Sequence, residues 1–143
     1  MAAPKKVLFV CVGNSCRSQM AEALARHSAS DVIAAASAGL SPLGHIEATT
    51  LAALKEKGIT AHRQYSKGLF DKTLFRPDLI VNMSGIPSRS LFPADAVLDW
   101  QVGDPYGENL VTYRRICDDI EARVKALAEE LRAEAKHHAK RKA

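Results

Sequence analysis

The sequence predicts an α/β fold: a three-layer sandwich on a doubly wound, four-stranded parallel sheet, strand order 2-1-3-4, with helices on both faces. Three observations carry this expectation. Short apolar runs alternate along the chain with helical patterns, which implies parallel pairing through right-handed crossovers. The first run, Val7 to Val10, is apolar without polar alternation, as a strand buried on both faces must be. It stops at Cys11, and a helix begins about five residues later, at the carboxyl end of a strand where folds of this class hold ligands.

The joint itself reads Cys11, Val12, Gly13, Asn14, Ser15, Cys16, Arg17, Ser18. Gly13 takes a positive φ freely and Asn14 tolerates one, so the backbone can curl tightly there. No proline lies between Lys5 and Ser41, so every loop N–H is available as a donor. The helix that follows adds its own unpaired N–H groups and its positive dipole end. Such a cup suits a tetrahedral dianion. Arg17 supplies a planar fork able to grip two oxygens at once. That places Cys11 beneath the anion, where a helix N-terminus and an arginine favour its thiolate and make it a nucleophile. Ser18 is positioned to hydrogen-bond the sulfur.

Further along, Met20, Ala21, Leu24 and Ala25 recur at helical spacing, predicting a first helix over about Cys16 to His27. Asp31 to Ser37 reads as a second strand. Leu40 to His45, with Pro42 and Gly44, reads as a loop. Ile46 to Lys57 is rich in Ala, Leu, Glu and Lys and ends at Gly58, which predicts a second helix with a glycine stop. Thr60 to Ser66 is polar and linking, and Leu69, Phe70, Leu74 and Phe75 suggest a short helix before Pro77. Asp78 to Asn82 forms a third strand and Ala94 to Asp99 a fourth, close to the single tryptophan, Trp100. The last helix carries one stripe: Leu110, Tyr113, Ile116, Cys117, Ile120, Val124, Leu127 and Leu131. Cys117 on that stripe is expected to be buried and inert.

Length and composition set the bounds. With 143 residues, 47% of them hydrophobic, the chain is expected to form a single domain spanning 1–143. Its net charge of +4 is concentrated in residues 132–143, a basic tail read as a solvated, fraying helix end and not as a nucleic-acid or membrane contact. Three cysteines, an odd number, and no secretory signal point to free thiols and a cytoplasmic location. The apolar runs are too short to span a bilayer. No metal is expected, since Cys11 and Cys16 lack a second ligand pair at a usual spacing.

A thiolate attacking a phosphate monoester needs an acid for the departing oxygen and later a base for water. Asp104 can serve both steps. Pro105 restricts it to an extended conformation, in a loop after the fourth strand.

The run CVGNSCRSQMAEA resembles the phosphate-binding loop of the low-molecular-weight protein tyrosine phosphatases and of the thioredoxin-linked arsenate reductases that share their flavodoxin-like fold. The similarity extends through Ser37-Ala38-Gly39 and Asp104-Pro105-Tyr106 to the last helix, nearly the whole chain. It implies Cys11 as nucleophile, Val12 to Ser18 as the phosphate cradle with Arg17 catalytic, and Asp104 as acid and base. Tyr106 would stack on an aryl leaving group, with Trp100 behind its loop. Ser37 and His62 would support Asn14, although Ser37 reads equally as a turn former and His62 as a surface residue. Cys16 could pair with Cys11 in a reversible disulfide or simply be a small buried residue. No cofactor is implied.

Two activities are compatible with these residues. The leading one is a phosphomonoesterase acting on a phosphorylated protein, through its tyrosine, or on a small aryl phosphate. The alternative is arsenate reduction, to which GNSCRSQMAE is closer in wording. In the thioredoxin-linked reductases two more cysteines follow the third strand, but the corresponding stretch here, NMSGIPSRSLFP, has none. A reductase would then need Cys16, Cys117 or an external small thiol. The loop from Leu40 to His45 presents no aromatic residue, a departure that weakens the case for phosphotyrosine.

Overall fold

The computed structural model describes residues 3–93 and 95–142. Four parallel strands, β1 (Lys5–Cys11), β2 (Ile33–Gly39), β3 (Leu79–Asn82) and β4 (Val97–Asp99), form one sheet in the order β2-β1-β3-β4. The central place of β1 explains its unbroken apolar run. Val7 and Phe9 face one layer and Leu8 and Val10 the other, all of them buried.

Three helices cover the first face: α1 (Arg17–Ser28), α2 (Ala48–Glu56) and the C-terminal helix, numbered α4 below (Leu110–Lys142). The predicted stripe of α4 packs here, with Tyr113, Cys117, Ile120 and Val124 all but inaccessible. Exposed ion pairs fasten α2 to α4, Glu56 to Arg114 at 2.6 Å and Lys57 to Asp118 at 2.6 Å. The opposite face has a smaller core of Leu8, Val10, Ala36, Ala38 and Ile80. Leu69, Leu74, Phe75 and Phe92 pack on it, the last just beyond the four-residue α3 (Ser88–Leu91).

Several boundaries depart from the sequence reading. The helix expected around Leu69 to Phe75 is a run of turns. Asp71 Oδ1 accepts from the Thr73 N–H and hydroxyl and from the Tyr65 hydroxyl, offering the backbone a local alternative to helix. Glu47, at ψ 136°, is extended, so α2 starts at Ala48 and not at Ile46. The second strand starts at Ile33, because turn bonds from Ala29 hold the preceding residues. The fourth starts at Val97; its expected first residue, Ala94, lies outside the described residues. The basic tail, expected to fray, continues α4 as helix to Lys142, and the end of that tail, Ala143, lies outside the described residues. At 33 residues α4 is about 50 Å long, so its last turns run past the sheet it packs on.

Candidate active site

The joint between β1 and α1 is a closed curl. The register that sets Cys11 beside Gly39 lets the backbone of β2 pass directly behind the loop. A Cβ at Gly39 would lie 2.7 Å from the Val12 carbonyl oxygen and 2.9 Å from the Asn14 nitrogen, so only glycine fits. Asn14 adopts the left-handed region at φ 49°.

The loop's carbonyls all accept bonds from outside it. Cys11, Val12 and Gly13 receive the N–H groups of Leu40, Ser41 and Leu43 at 3.1, 2.9 and 3.0 Å. Asn14 receives Gln19 Nε2 at 3.1 Å, and Ser15 the Thr50 hydroxyl at 2.9 Å. With its carbonyls turned outward, the loop turns its amides inward. Among the described residues, no N–H from Val12 to Ser18 has an acceptor, and the first turn of α1 has no side-chain cap. Ser15 Oγ is also buried without a partner, the sole side-chain atom so placed among the described residues. Unpaired buried donors of this kind call for a ligand.

The cup opens into a cavity of about 230 Å³. Cys11, Ser15 and Arg17 line its base, Leu43 one wall, and Asp104 and Tyr106 its mouth. Cys11 is buried, with Sγ 2.9 Å from the Ser18 hydroxyl, which Asn14 Nδ2 contacts at 2.7 Å. Arg17 is buried as well. Its Nη1 donates to the carbonyls of Met83 at 2.5 Å and Val102 at 3.2 Å, at the ends of β3 and of the segment after β4. Its Nη2 lies 3.6 Å from Asp104 Oδ2. Asp104 is half exposed, and its Oδ1 accepts the Tyr106 N–H at 3.0 Å.

Cys16 also borders the cavity but turns its sulfur to the Tyr113 hydroxyl at 3.5 Å. Burial raises its thiol pKa despite that hydrogen bond.

The supporting residues differ from those expected. Ser37 does not reach Asn14; its hydroxyl donates to buried Glu22 at 2.6 Å. His62 is exposed and is not among Asn14's partners. Asn14 Oδ1 is held instead by Gln19 Nε2 and the Lys67 N–H, each at 2.9 Å, and Gln64 in turn donates to Gln19 Oε1 at 2.7 Å. Gln19 is two residues past Arg17 in the same run, but nothing in spacing alone distinguishes it from a surface glutamine. Trp100 tilts against Phe9 in the core, with ring centroids 6.0 Å apart. No cluster of three or more metal-ligating side chains occurs among the described residues.

The model of one family, low molecular weight phosphotyrosine protein phosphatase, matches residues 6–137. This chain belongs to that family. A glutaredoxin arsenate reductase of Synechocystis sp. is 34% identical over 86% of this chain and 95% of its own. The solved YwlE arginine phosphatase of Geobacillus stearothermophilus superposes with a TM-score of 0.84 at 29% identity, covering 94% of this chain and 97% of the phosphatase. An arsenate reductase in its phosphate-binding state gives a TM-score of 0.77 at 32% identity, over 89% and 98%. The chain is thus an enzyme of the low-molecular-weight phosphatase fold, and both activities anticipated from its sequence occur in the names of its relatives. No helix among the described residues is long and apolar enough to cross a membrane.

Proposed function

We propose that the chain is a phosphomonoesterase working through a cysteinyl-phosphate intermediate. One observation carries the reading: the group standing with Arg17 at the mouth of the Cys11 cavity is a carboxylate, Asp104, while the nearest other thiol, Cys16, is turned to Tyr113. A carboxylate serves proton transfer and hydrolysis, whereas reduction requires a second sulfur.

The Cys11 thiolate attacks phosphorus as the bond to the leaving oxygen breaks, and the Asp104 carboxyl gives that oxygen its proton. The carboxylate so formed then takes a proton from water, which attacks the cysteinyl phosphate and expels the thiolate. Ser18, 2.9 Å from the sulfur, stabilises that departing charge. The inward N–H groups, Ser15 Oγ and Arg17 hold the equatorial oxygens, where charge accumulates in the transition state.

For the leaving group, Tyr106 at the mouth and Leu43 on the wall offer apolar surface, which suits an aryl phosphate or a phosphotyrosine of a protein. Arginine phosphate, the substrate type in the name of one relative, would use the same cradle.

Arsenate reduction is the second reading, favoured by the relatives named arsenate reductases. Arsenate would bind as phosphate does. The Cys11 thiolate would attack arsenic and displace an oxygen as water, forming an S–As bond. An external small thiol or a glutaredoxin would then attack the Cys11 sulfur, the electron pair of the S–As bond passing to arsenic so that As(V) leaves as As(III) arsenite and a mixed disulfide remains.

Steady-state hydrolysis of a series of aryl phosphates, beside arsenate reduction with thioredoxin, glutaredoxin and a small thiol in turn, tests the assignment. Hydrolysis inhibited competitively by arsenate is expected, with Asp104→Ala losing about 100-fold or more on the most basic leaving groups and less on acidic ones. Negligible hydrolysis with thiol-dependent arsenite formation would reverse the order of the two readings.

A further inference from the structure

Lys67 follows the polar linker and lies behind the phosphate loop, buried, with its side chain 7% exposed. Its backbone is part of the site. The N–H donates to Asn14 Oδ1 at 2.9 Å, and the carbonyl accepts from the Gly39 N–H at 2.8 Å. Its ammonium lies 4.0 Å from Oε1 of Glu22, donates to the Tyr65 carbonyl at 3.2 Å and sits 4.6 Å over the Tyr65 ring. Glu22 is itself buried, on the α1 face opposite solvent, and its Oε2 pairs with Arg26 at 2.7 Å. Burying two charges is costly. Glu22 Oε1 also accepts the Ser37 hydroxyl of β2 at 2.6 Å, which leaves the Lys67 ammonium as the member of the pair with no hydrogen bond to the sheet among the described residues.

We propose that Lys67 is a positioning residue for the reaction at Cys11: its ammonium, set against Glu22, clamps the 65–68 segment onto the phosphate loop and so maintains the curl that aims the loop's donors.

The path is short. Lys67 N–H reaches Asn14, Asn14 Nδ2 reaches the Ser18 hydroxyl at 2.7 Å, and that hydroxyl reaches the Cys11 sulfur at 2.9 Å. Ser66, inside the clamped segment, also donates to the Gly13 carbonyl at 3.1 Å. Because the bond to Asn14 uses the backbone N–H, any residue but proline at 67 can form it. The ammonium is what keeps that backbone in place. This inference rests on the oxyanion-site reading but not on which of the two reactions follows.

The test is protection of Cys11 from alkylation by inorganic phosphate, which needs no assumed turnover. Lys67→Met is expected to weaken phosphate protection about tenfold, below the ~100-fold that misplacing a reacting group by 1 Å can cost. Lys67→Arg should stay within about threefold of the parent protein, because it keeps the charge. Glu22→Gln with Lys67→Met leaves no unpaired buried charge, so thermal stability should recover while phosphate protection stays weak. A purely structural pair would recover both.

A pH series gives an independent readout on the unmutated protein and Lys67→Arg. The groups facing the ammonium are Glu22 and Arg26 from α1, Asp71 from the turn segment, and Tyr65; burial, the dominant influence, lowers the Lys67 pKa from 10.5. Phosphate protection should therefore hold at neutral pH and be lost as pH rises through a value lower than 10.5 in the unmutated protein, whereas in Lys67→Arg it should persist to higher pH. Unchanged protection in Lys67→Met, recovery of both properties in the double variant, or coincident pH profiles would overturn the proposal. Absence of phosphate protection in the unmutated protein would instead overturn the oxyanion site itself.

Discussion

At the scale of single residues, the loop depends on what Gly39 lacks. A methyl group there would stand 2.7 Å from the Val12 oxygen and 2.9 Å from the Asn14 nitrogen, both backbone atoms that no side-chain rotation can move aside. Gly39→Ala is therefore expected to cost about 1–3 kcal/mol of stability and to weaken phosphate binding more than tenfold. Thermal melts and phosphate protection of Cys11 check the two effects separately. The nucleophile candidate, the arginine and the left-handed Asn14 were legible because a curl around an anion needs those residue types close together in sequence. Gly13, expected to take a positive φ, does not, since Asn14 alone carries the left-handed turn of the loop. Ser37, Gln19, Lys67 and His62 were not, since a supporting contact depends on which distant segment crosses behind the loop. Two of these are corrections: Ser37 serves Glu22, and His62 faces solvent, because the backbone of Lys67 already occupies the Asn14 oxygen.

Among the elements, α4 shows how a buried polar atom couples the core to pH. Cys117 lies on its buried stripe, and burial pushes the thiol up to about 11 from its ordinary 9.0. A raised pKa means that the folded state holds the proton more tightly than the unfolded state. Its stabilising contribution is complete below pH 9.0 and is lost as pH rises through about 11. Cys117→Ala should flatten the alkaline limb of stability by up to about 1.4 kcal/mol per pH unit, as read by urea unfolding from pH 8 to 11. The same helix was the clearest element in the sequence, because its apolar period persists over many turns. The turns from Leu69 to Phe75 were misread as helix because their apolar spacing is real; Leu69, Leu74 and Phe75 do pack on the sheet, but the side chain of Asp71 binds the backbone locally first.

Over the whole molecule, residues remote in sequence tie the last helix to the start of β2. Arg132 forms two bonds to Asp31, at 2.8 and 2.9 Å, and a third to the Ser28 carbonyl at 3.2 Å. The arginine's hydrogen bonds hold the Asp31 carboxyl below its ordinary 3.8. A depressed carboxyl stabilises the fold above that value, and the contribution is lost as pH falls through the lower folded-state value. Arg132→Ala should be slightly less stable than the parent protein at pH 6, and the two should converge in acid as Asp31 protonates; melting temperatures across that range decide it. By itself the sequence determined the alternation of strands and helices, the buried centre of the sheet and the anion-shaped joint after β1, because those follow from local period, turn chemistry and residue type. Only the tertiary structure decided that Asp104 comes to Arg17, that Cys16 turns to Tyr113, and that a buried Lys67–Glu22 pair lies behind the loop. Each of these joins segments separated in sequence, and which segments meet is settled by packing across the sheet and not by local preference.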